Sequence, residues 1–412
     1  MKNSNTLRAL LISLIAGTGL SCGPRDPSSN NVTSSAASTG SGQQTGPGLP
    51  CAKASCACVT ACHPRDSQLA WQPLPTDGAP SARRLHVAVW SGTELLIWGG
   101  MVDGAGNGTA SGAAYNPATD TWRAISDVAA PSARHSHQAV WTGTQLLVWG
   151  GYAKGGYAKD GGAYDPATDT WTAIPEASIS GRTRHSTVWT GTDLIVWGGI
   201  NAQGALGDGA RYAVASKTWT ALPGSGPKAR ASHVGAWTGT EMLVWGGTDT
   251  FDWFADGQHF NVADNAWKAA TNTTNAPTLR ESSTGLWAAG TMLVWGGWNG
   301  GDYQNTGAAY EPTSRLWSEL PDGAPEGRAG HVSLWTGDEL FVWGGCTGDS
   351  CSTLLGDGGR FTADDGWTKI SANANLPPRT GALGVWTGKD VIVFGGSDAN
   401  FKPLAGGARA AL

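Results

Sequence analysis

Trp141-Thr142-Gly143-Thr144-Gln145-Leu146-Leu147-Val148-Trp149-Gly150-Gly151 is the stretch that decides the fold. Short apolar runs flank a Gly-containing turn, so it reads as a hairpin, and two glycines end it. The pattern recurs at 90–100, 189–199, 237–247, 287–297, 335–345 and 386–396, about every 49 residues. Its second aromatic is Trp98, Trp149, Trp197, Trp245, Trp295, Trp343 and finally Phe394. A period near 50 residues marks one supersecondary unit repeated around a ring or along a solenoid.

Outward from the hairpin, the second unit runs through a variable loop to residues 162–165. It turns at Pro166-Ala167-Thr168-Asp169 and ends on residues 171–174. A third Trp marks that last run in every unit: Trp71, Trp122, Trp171, Trp219, Trp267, Trp317 and Trp367. Three repeat positions thus hold 20 of the 22 tryptophans, which makes them packing between units; only Trp253 and Trp298 fall outside. Four antiparallel strands repeated seven times predict the blades of a β-propeller. The chain ends on Gly406-Gly407-Ala408-Arg409-Ala410, a third strand lacking a fourth, while residues 71–74 form a fourth strand lacking a blade. The expected fold is all-β: seven four-stranded antiparallel blades, the last closed by the N-terminal strand, which removes two open edges.

The double Gly, the aromatic about a dozen residues on (Tyr115, Tyr164, Tyr212, Phe260, Tyr310, Phe361) and the Trp soon after it resemble the kelch repeat. The Arg ahead of every first strand, and the His ahead of most, fit the same family, and the resemblance covers about residues 69–412. It implies a binding scaffold or, in a few cases, an enzyme acting on sugars. One such activity is copper-radical galactose oxidation, which needs a Tyr–Cys pair and His ligands. Here the propeller cysteines Cys346 and Cys351 read as paired with each other. The other is a mutarotase- or epimerase-like reaction, for which Glu281 or Glu326 would supply the acid or base.

The ends of the chain read differently. Lys2 and Arg8 ahead of the apolar residues 9–20 suit an export signal, residues 1–21, too short to span a bilayer of roughly 30 Å. Gly19-Leu20-Ser21-Cys22 resembles a bacterial lipobox, so Cys22 is the expected lipidation site and residues 22–50 a Ser/Thr/Gly/Pro tether. The expected location is the bacterial cell envelope, lipid-anchored or otherwise secreted. In an oxidising compartment the six remaining cysteines read as disulfides: Cys51, Cys56, Cys58 and Cys62 in a Cys-rich segment, residues 51–68, and Cys346 with Cys351 in a propeller loop. The net charge is -5 and no Lys/Arg block occurs, so nucleic acid is not an expected partner, and the membrane is reached only through the anchor.

Strand parity places the loops after Gly-Gly and the links between blades on one rim, and the short turns on the other. Binding is expected on the variable rim. Two features compete there. Arg83, Arg134, Arg182, Arg230, Arg280, Arg328 and Arg379 each stand seven residues ahead of a blade's first Trp, and His86, His137, His185, His233 and His331 four ahead. Seven cations near a channel would attract an anion; residues recurring in every blade equally serve the blade, by tying loop carbonyls or bonding across strands. Asp160, Asp208, Asp256 and Asp357 also recur and read as turn-shaping. The second feature breaks the repeat: Phe251, Trp253 and Phe254 in the fourth blade's loop, Trp298 and Tyr303 in the fifth's. Aromatics beside acids and amides suit sugar stacking or a protein hot spot, or pack locally to order long loops. No nucleophile–base–acid set, phosphate loop or metal-ligand spacing is present, so no catalytic residue, cofactor or metal is assigned. The leading expectation is a non-enzymatic, envelope-anchored binding module whose rim arc, blades four to six, meets a glycan or an envelope protein.

Overall fold

The computed structural model describes residues 68–104 and 106–412. The expected signal segment, Cys22, the tether and Cys51, Cys56, Cys58 and Cys62 lie outside the described residues. Those residues form seven four-stranded antiparallel sheets. The first comprises Val87–Trp90, Leu95–Trp98, Gly112–Asn116 and Thr121–Ile125. Five more occupy 138–174, 186–221, 234–270, 284–319 and 332–370. The seventh takes Leu383–Trp386, Asp390–Phe394 and Gly407–Ala411 from the chain's end and Gln72–Pro73 from its beginning. Gln72 lies opposite Arg409 and Pro73 opposite Ala408, so the ring is sealed as the repeat requires. The innermost strands touch in sequence around the axis, and the seventh, Leu383–Trp386, touches the first, Val87–Trp90.

Packing between blades combines aliphatic strand residues with one aromatic pair at each interface. Each second-strand aromatic is fully buried and meets the fourth-strand Trp of the next blade. Trp98 meets Trp171 at 5.2 Å between ring centroids, Trp149 meets Trp219 at 5.5 Å, and Trp197 meets Trp267 at 5.5 Å. The last two contacts close the circle, Trp343 with the N-terminal Trp71 at 5.8 Å and Phe394 with Trp122 at 5.4 Å. Tilted or edge-on pairs at this spacing add about 0.5–1.5 kcal/mol each beyond the apolar area they cover. Several outer indoles also cross to the neighbour by hydrogen bond: Trp122 Nε1 donates to the Pro75 carbonyl at 2.9 Å and Trp171 Nε1 to that of Ser126 at 2.8 Å.

The Gly-Gly pair has a steric cause. Gly99 sits at φ 67 and Gly100 at φ 103, where an L side chain is strained. A Cβ on Gly99 would lie 2.5 Å from Cε1 of His137 in the next blade. The chain then rises onto the variable rim, where the residue after each Gly-Gly bridges the residue after each ring arginine. Arg84 pairs with Met101, His135 with Tyr152, Thr183 with Ile200, and Glu281 with Trp298. Loop and inter-blade link therefore stand side by side on one face, and the short turns lie on the other.

Candidate interaction rim

The seven arginines form the footing of this rim. Each is buried, and each guanidinium spans the base of its own blade's loop. Arg182 Nη1 donates to the carbonyls of Gly198 at 3.0 Å and Asp208 at 3.1 Å, and its Nε to that of Ser180 at 2.9 Å. Arg83, Arg134, Arg230, Arg280, Arg328 and Arg379 repeat the clamp onto Gly99, Gly150, Gly246, Gly296, Gly344 and Gly395. Burial lowers Arg83, Arg280 and Arg379 to about 10. The recurring acids do more than shape turns: Asp160, Asp208, Asp256 and Asp357 pair with Arg134, Arg182, Arg230 and Arg328 at 2.8–3.0 Å. Each acid also supplies the second carbonyl that its arginine holds, so the side chain and backbone of one residue share one guanidinium.

The histidines lie deeper, between blades. His137 meets Trp98 edge-on at 5.1 Å, and His233 meets Trp197 at 5.1 Å while its Nε2 lies 2.7 Å from Ser186 Oγ. Burial, reinforced by the neighbouring arginine, lowers His86, His233 and His331 to about 3 and holds His137 and His185 well below the usual range. The channel beside them is narrow, about 80 Å³. Glycines at Gly235, Gly285 and Gly384 let the inner strands approach until an added Cβ would lie within 2.5 Å of a neighbour.

Above this footing the aromatic arc is an assembled cluster. The rings of Trp253 and Trp298 meet edge-on at 5.1 Å, both half-buried. Trp253 Nε1 donates to Glu281 Oε1 at 3.1 Å, and the other oxygen of that carboxylate accepts from Arg184 Nη2 at 2.8 Å. Arg184 Nε donates in turn to Ser232 Oγ at 2.8 Å, so one network links the third, fourth and fifth blades across the channel mouth. Its two charges are almost wholly buried, with side chains 5 % and 2 % exposed. Phe254 lies against Arg230, 4.4 Å from ring centroid to guanidinium, and against Lys228 at 4.9 Å. Phe251 stands at the tip of a turn that Asp249 fixes by accepting from the amides of Phe251 and Asp252, and is 81 % exposed. Tyr303 packs with Leu354 and Phe401 on the Cys346–Cys351 disulfide, and burial pushes its hydroxyl up to about 12. That disulfide, between the two propeller cysteines, leaves neither sulfur for a Tyr–Cys pair. Glu281, named for acid–base work, is held by Arg184 and Trp253, while Glu326 stands exposed. Among the described residues no three His, Cys, Asp or Glu side chains gather where a metal ion would sit.

Sequence reasoning passed over the other half of the mouth, formed by Arg84, His135, Tyr152, Tyr157 and Arg184. His135 meets Tyr152 at 5.6 Å, and Tyr152 meets Tyr157 edge-on at 5.3 Å. Burial, with the charge of Arg84 adding to it, lowers His135 to about 4. The signal was present in the alignment of the units. The position after the ring arginine reads Arg84, His135, Thr183, Ala231, Glu281, Ala329, Thr380; the next reads Leu85, Ser136, Arg184, Ser232, Ser282, Gly330, Gly381. Small residues fill most of these places, and the large or charged exceptions mark the mouth. The second of the two positions is left-handed throughout, with φ 55 at Leu85 and 56 at Arg184, a conformation that non-glycine residues hold at a cost.

The family described as the KLHDC2/KLHL20/DRC7 Kelch-repeats domain matches residues 54–234 and, in a second overlapping copy, 184–396. No curated protein matches the chain.

Proposed function

The chain belongs to the kelch-repeat family, whose propellers are commonly protein-binding modules, and on that premise we propose that its variable rim binds a protein partner through the arc of the fourth and fifth blades. The observation that carries this reading is the pairing of an exposed anchor with a rigid base. Phe251 projects from a turn pinned by Asp249, next to Trp253 and Trp298, which the Arg184–Glu281 network holds in place. Fixed aromatics at the centre of a patch are what protein hot spots use, because little side-chain entropy is lost on contact.

The same reading gives the N-terminal region a role. The strand Gln72–Pro73 begins beside the short turns, since Ala70 and Gln72 share a groove with Gly92, Thr93, Pro117 and Lys389. A stalk leaving there, lipidated at Cys22 in a bacterial envelope, would hold the aromatic rim away from the membrane. A photo-crosslinking residue at Phe251, compared with one at Leu316 on the short-turn side, tests the assignment in cells. Adducts from position 251 that disappear in Trp253→Ala and Trp298→Ala support it. Adducts from position 316 alone would overturn it. A glycan array with the same variants covers the other partner class, and retained glycan binding without protein adducts would replace the reading.

A further inference from the structure

The loops of the fourth and fifth blades make the same turn around different acceptors. Asp249 Oδ1 accepts from the amides of Phe251 at 3.0 Å and Asp252 at 2.8 Å. Asn299 Oδ1 accepts from those of Gly301 at 3.0 Å and Asp302 at 2.7 Å. Glycine follows Asn299, and elsewhere in the chain only Asn107-Gly108 repeats that dipeptide. Gly300 stands at φ 98, and an added Cβ would lie 2.8 Å from Cζ3 of Trp253. Its amide N–H donates no hydrogen bond among the described residues.

We propose that Asn299-Gly300 is a self-modifying site, where spontaneous deamidation places a carboxylate beside the aromatic pair of the arc. The Gly300 nitrogen gives up its proton to water and attacks Asn299 Cγ. The Cγ–Nδ2 bond breaks, ammonia leaves, and a succinimide ring closes. Water then opens the ring at one of its two carbonyls. One route gives aspartate with the main chain intact, the other isoaspartate with the main chain rerouted through Cβ and Cγ. The two amides on Oδ1 stabilise the charge which that oxygen acquires during the attack, as an oxyanion hole does. A glycine leaves the attacking nitrogen unshielded and its backbone free to turn. Asn107-Gly108 is held differently. Asn107 Nδ2 donates to Asp103 Oδ2 at 2.8 Å, and no backbone amide among the described residues donates to its Oδ1. Gly108 is fixed in a bridge to Met101, where an added Cβ would lie 2.7 Å from Arg134 Cα. At 299 the aspartate product fits, because Asp249 fills the same place in the fourth blade with the same two bonds. The isoaspartate product adds a backbone carbon beneath the Trp253 ring and displaces it. That consequence for binding rests on the rim reading, whereas the deamidation does not.

Incubating the full chain at mildly alkaline pH, folded and in urea, tests this by peptide mapping with electron-transfer fragmentation, which separates aspartate from isoaspartate. In the folded chain position 299 should convert about tenfold faster than position 107, or more. In urea the two should convert at similar rates, because only the shared dipeptide then acts. Asn299→Asp, the mimic of the direct product, should keep the Tm of wild type. No conversion at 299 in the folded chain, acceleration by urea at 299 as large as at 107, or a marked drop in Tm of Asn299→Asp would overturn the proposal. Crosslinking from position 251 in fresh and aged protein reads the rim separately, and the isoaspartate fraction should lose the adducts. Conversion needs no partner, so a chain that converts without ever giving adducts sinks the rim reading alone. A chain that gives adducts without converting sinks the deamidation alone.

Discussion

Trp253 and Arg184 share one carboxylate: Glu281 accepts from the indole at 3.1 Å and from the guanidinium at 2.8 Å. The aromatic arc is thus coupled to a buried ion pair, and the pair can be interrogated by stability alone. Glu281→Gln leaves Arg184 buried without its counter-charge, a change that typically costs about 3–5 kcal/mol. Arg184→Met combined with Glu281→Gln removes both charges and should recover much of that loss. Denaturant unfolding of the two singles and the double provides the cycle. Additive effects would show that the two side chains are not coupled.

Ring closure gives a second prediction. Trp71 fills the seventh blade's fourth-strand position and packs on Trp343, and Gln72 and Pro73 pair with the last strand. Deleting residues 69–75 would open two strand edges and expose the face of Trp343. The whole domain should melt at lower temperature, in one transition, and not merely lose a frayed end. An unchanged Tm would contradict the closure.

The fold could be read from the sequence because its determinants recur. Trp98 and its equivalents, the paired glycines and the turn at Pro166 each appear at a fixed register, and a period repeated seven times leaves little freedom. The rim was less legible because its informative residues are departures at positions without a motif. Trp253 and Trp298 stood out as rare residues. Arg84, His135 and Arg184 did not, because their types are common and only their place relative to Ala231 or Gly330 makes them unusual. The arginine ring showed the converse difficulty. Its regularity was plain, while its acceptors, the carbonyls of Gly99 and its equivalents, carry no side-chain signature.

The first glycine of each pair should differ in tolerance according to its neighbour. At Gly99 a Cβ would lie 2.5 Å from His137 Cε1, but at Gly246 the nearest atom is the Arg280 carbonyl oxygen at 3.0 Å. The cause is sequence: the fifth blade has Ser283 where most have His. Both glycines are left-handed, so Ala costs roughly 1–2 kcal/mol at either. Gly99→Ala should lose about 1–3 kcal/mol more through overpacking. Urea midpoints for the two variants decide it, and equal losses would mean that His137 yields freely.

The buried histidines make a pH prediction whose sign follows from their direction of shift. His86, His233 and His331 are lowered to about 3 in the folded chain, so it holds them neutral. The unfolded chain protonates them near pH 6.5 and then binds more protons than the native state. Their contribution is therefore complete above about pH 6.5 and is lost as pH falls toward 3, at about 1.4 kcal/mol per pH unit for each. At pH 5 that amounts to about 2 kcal/mol per histidine, before carboxylate titration contributes much. Urea midpoints should drop steadily from pH 7.5 to 5. In His331→Asn the slope should be shallower by about one proton, even though the variant starts from lower stability. A slope identical to wild type would mean that His331 is charged, or free to become so, inside the folded propeller.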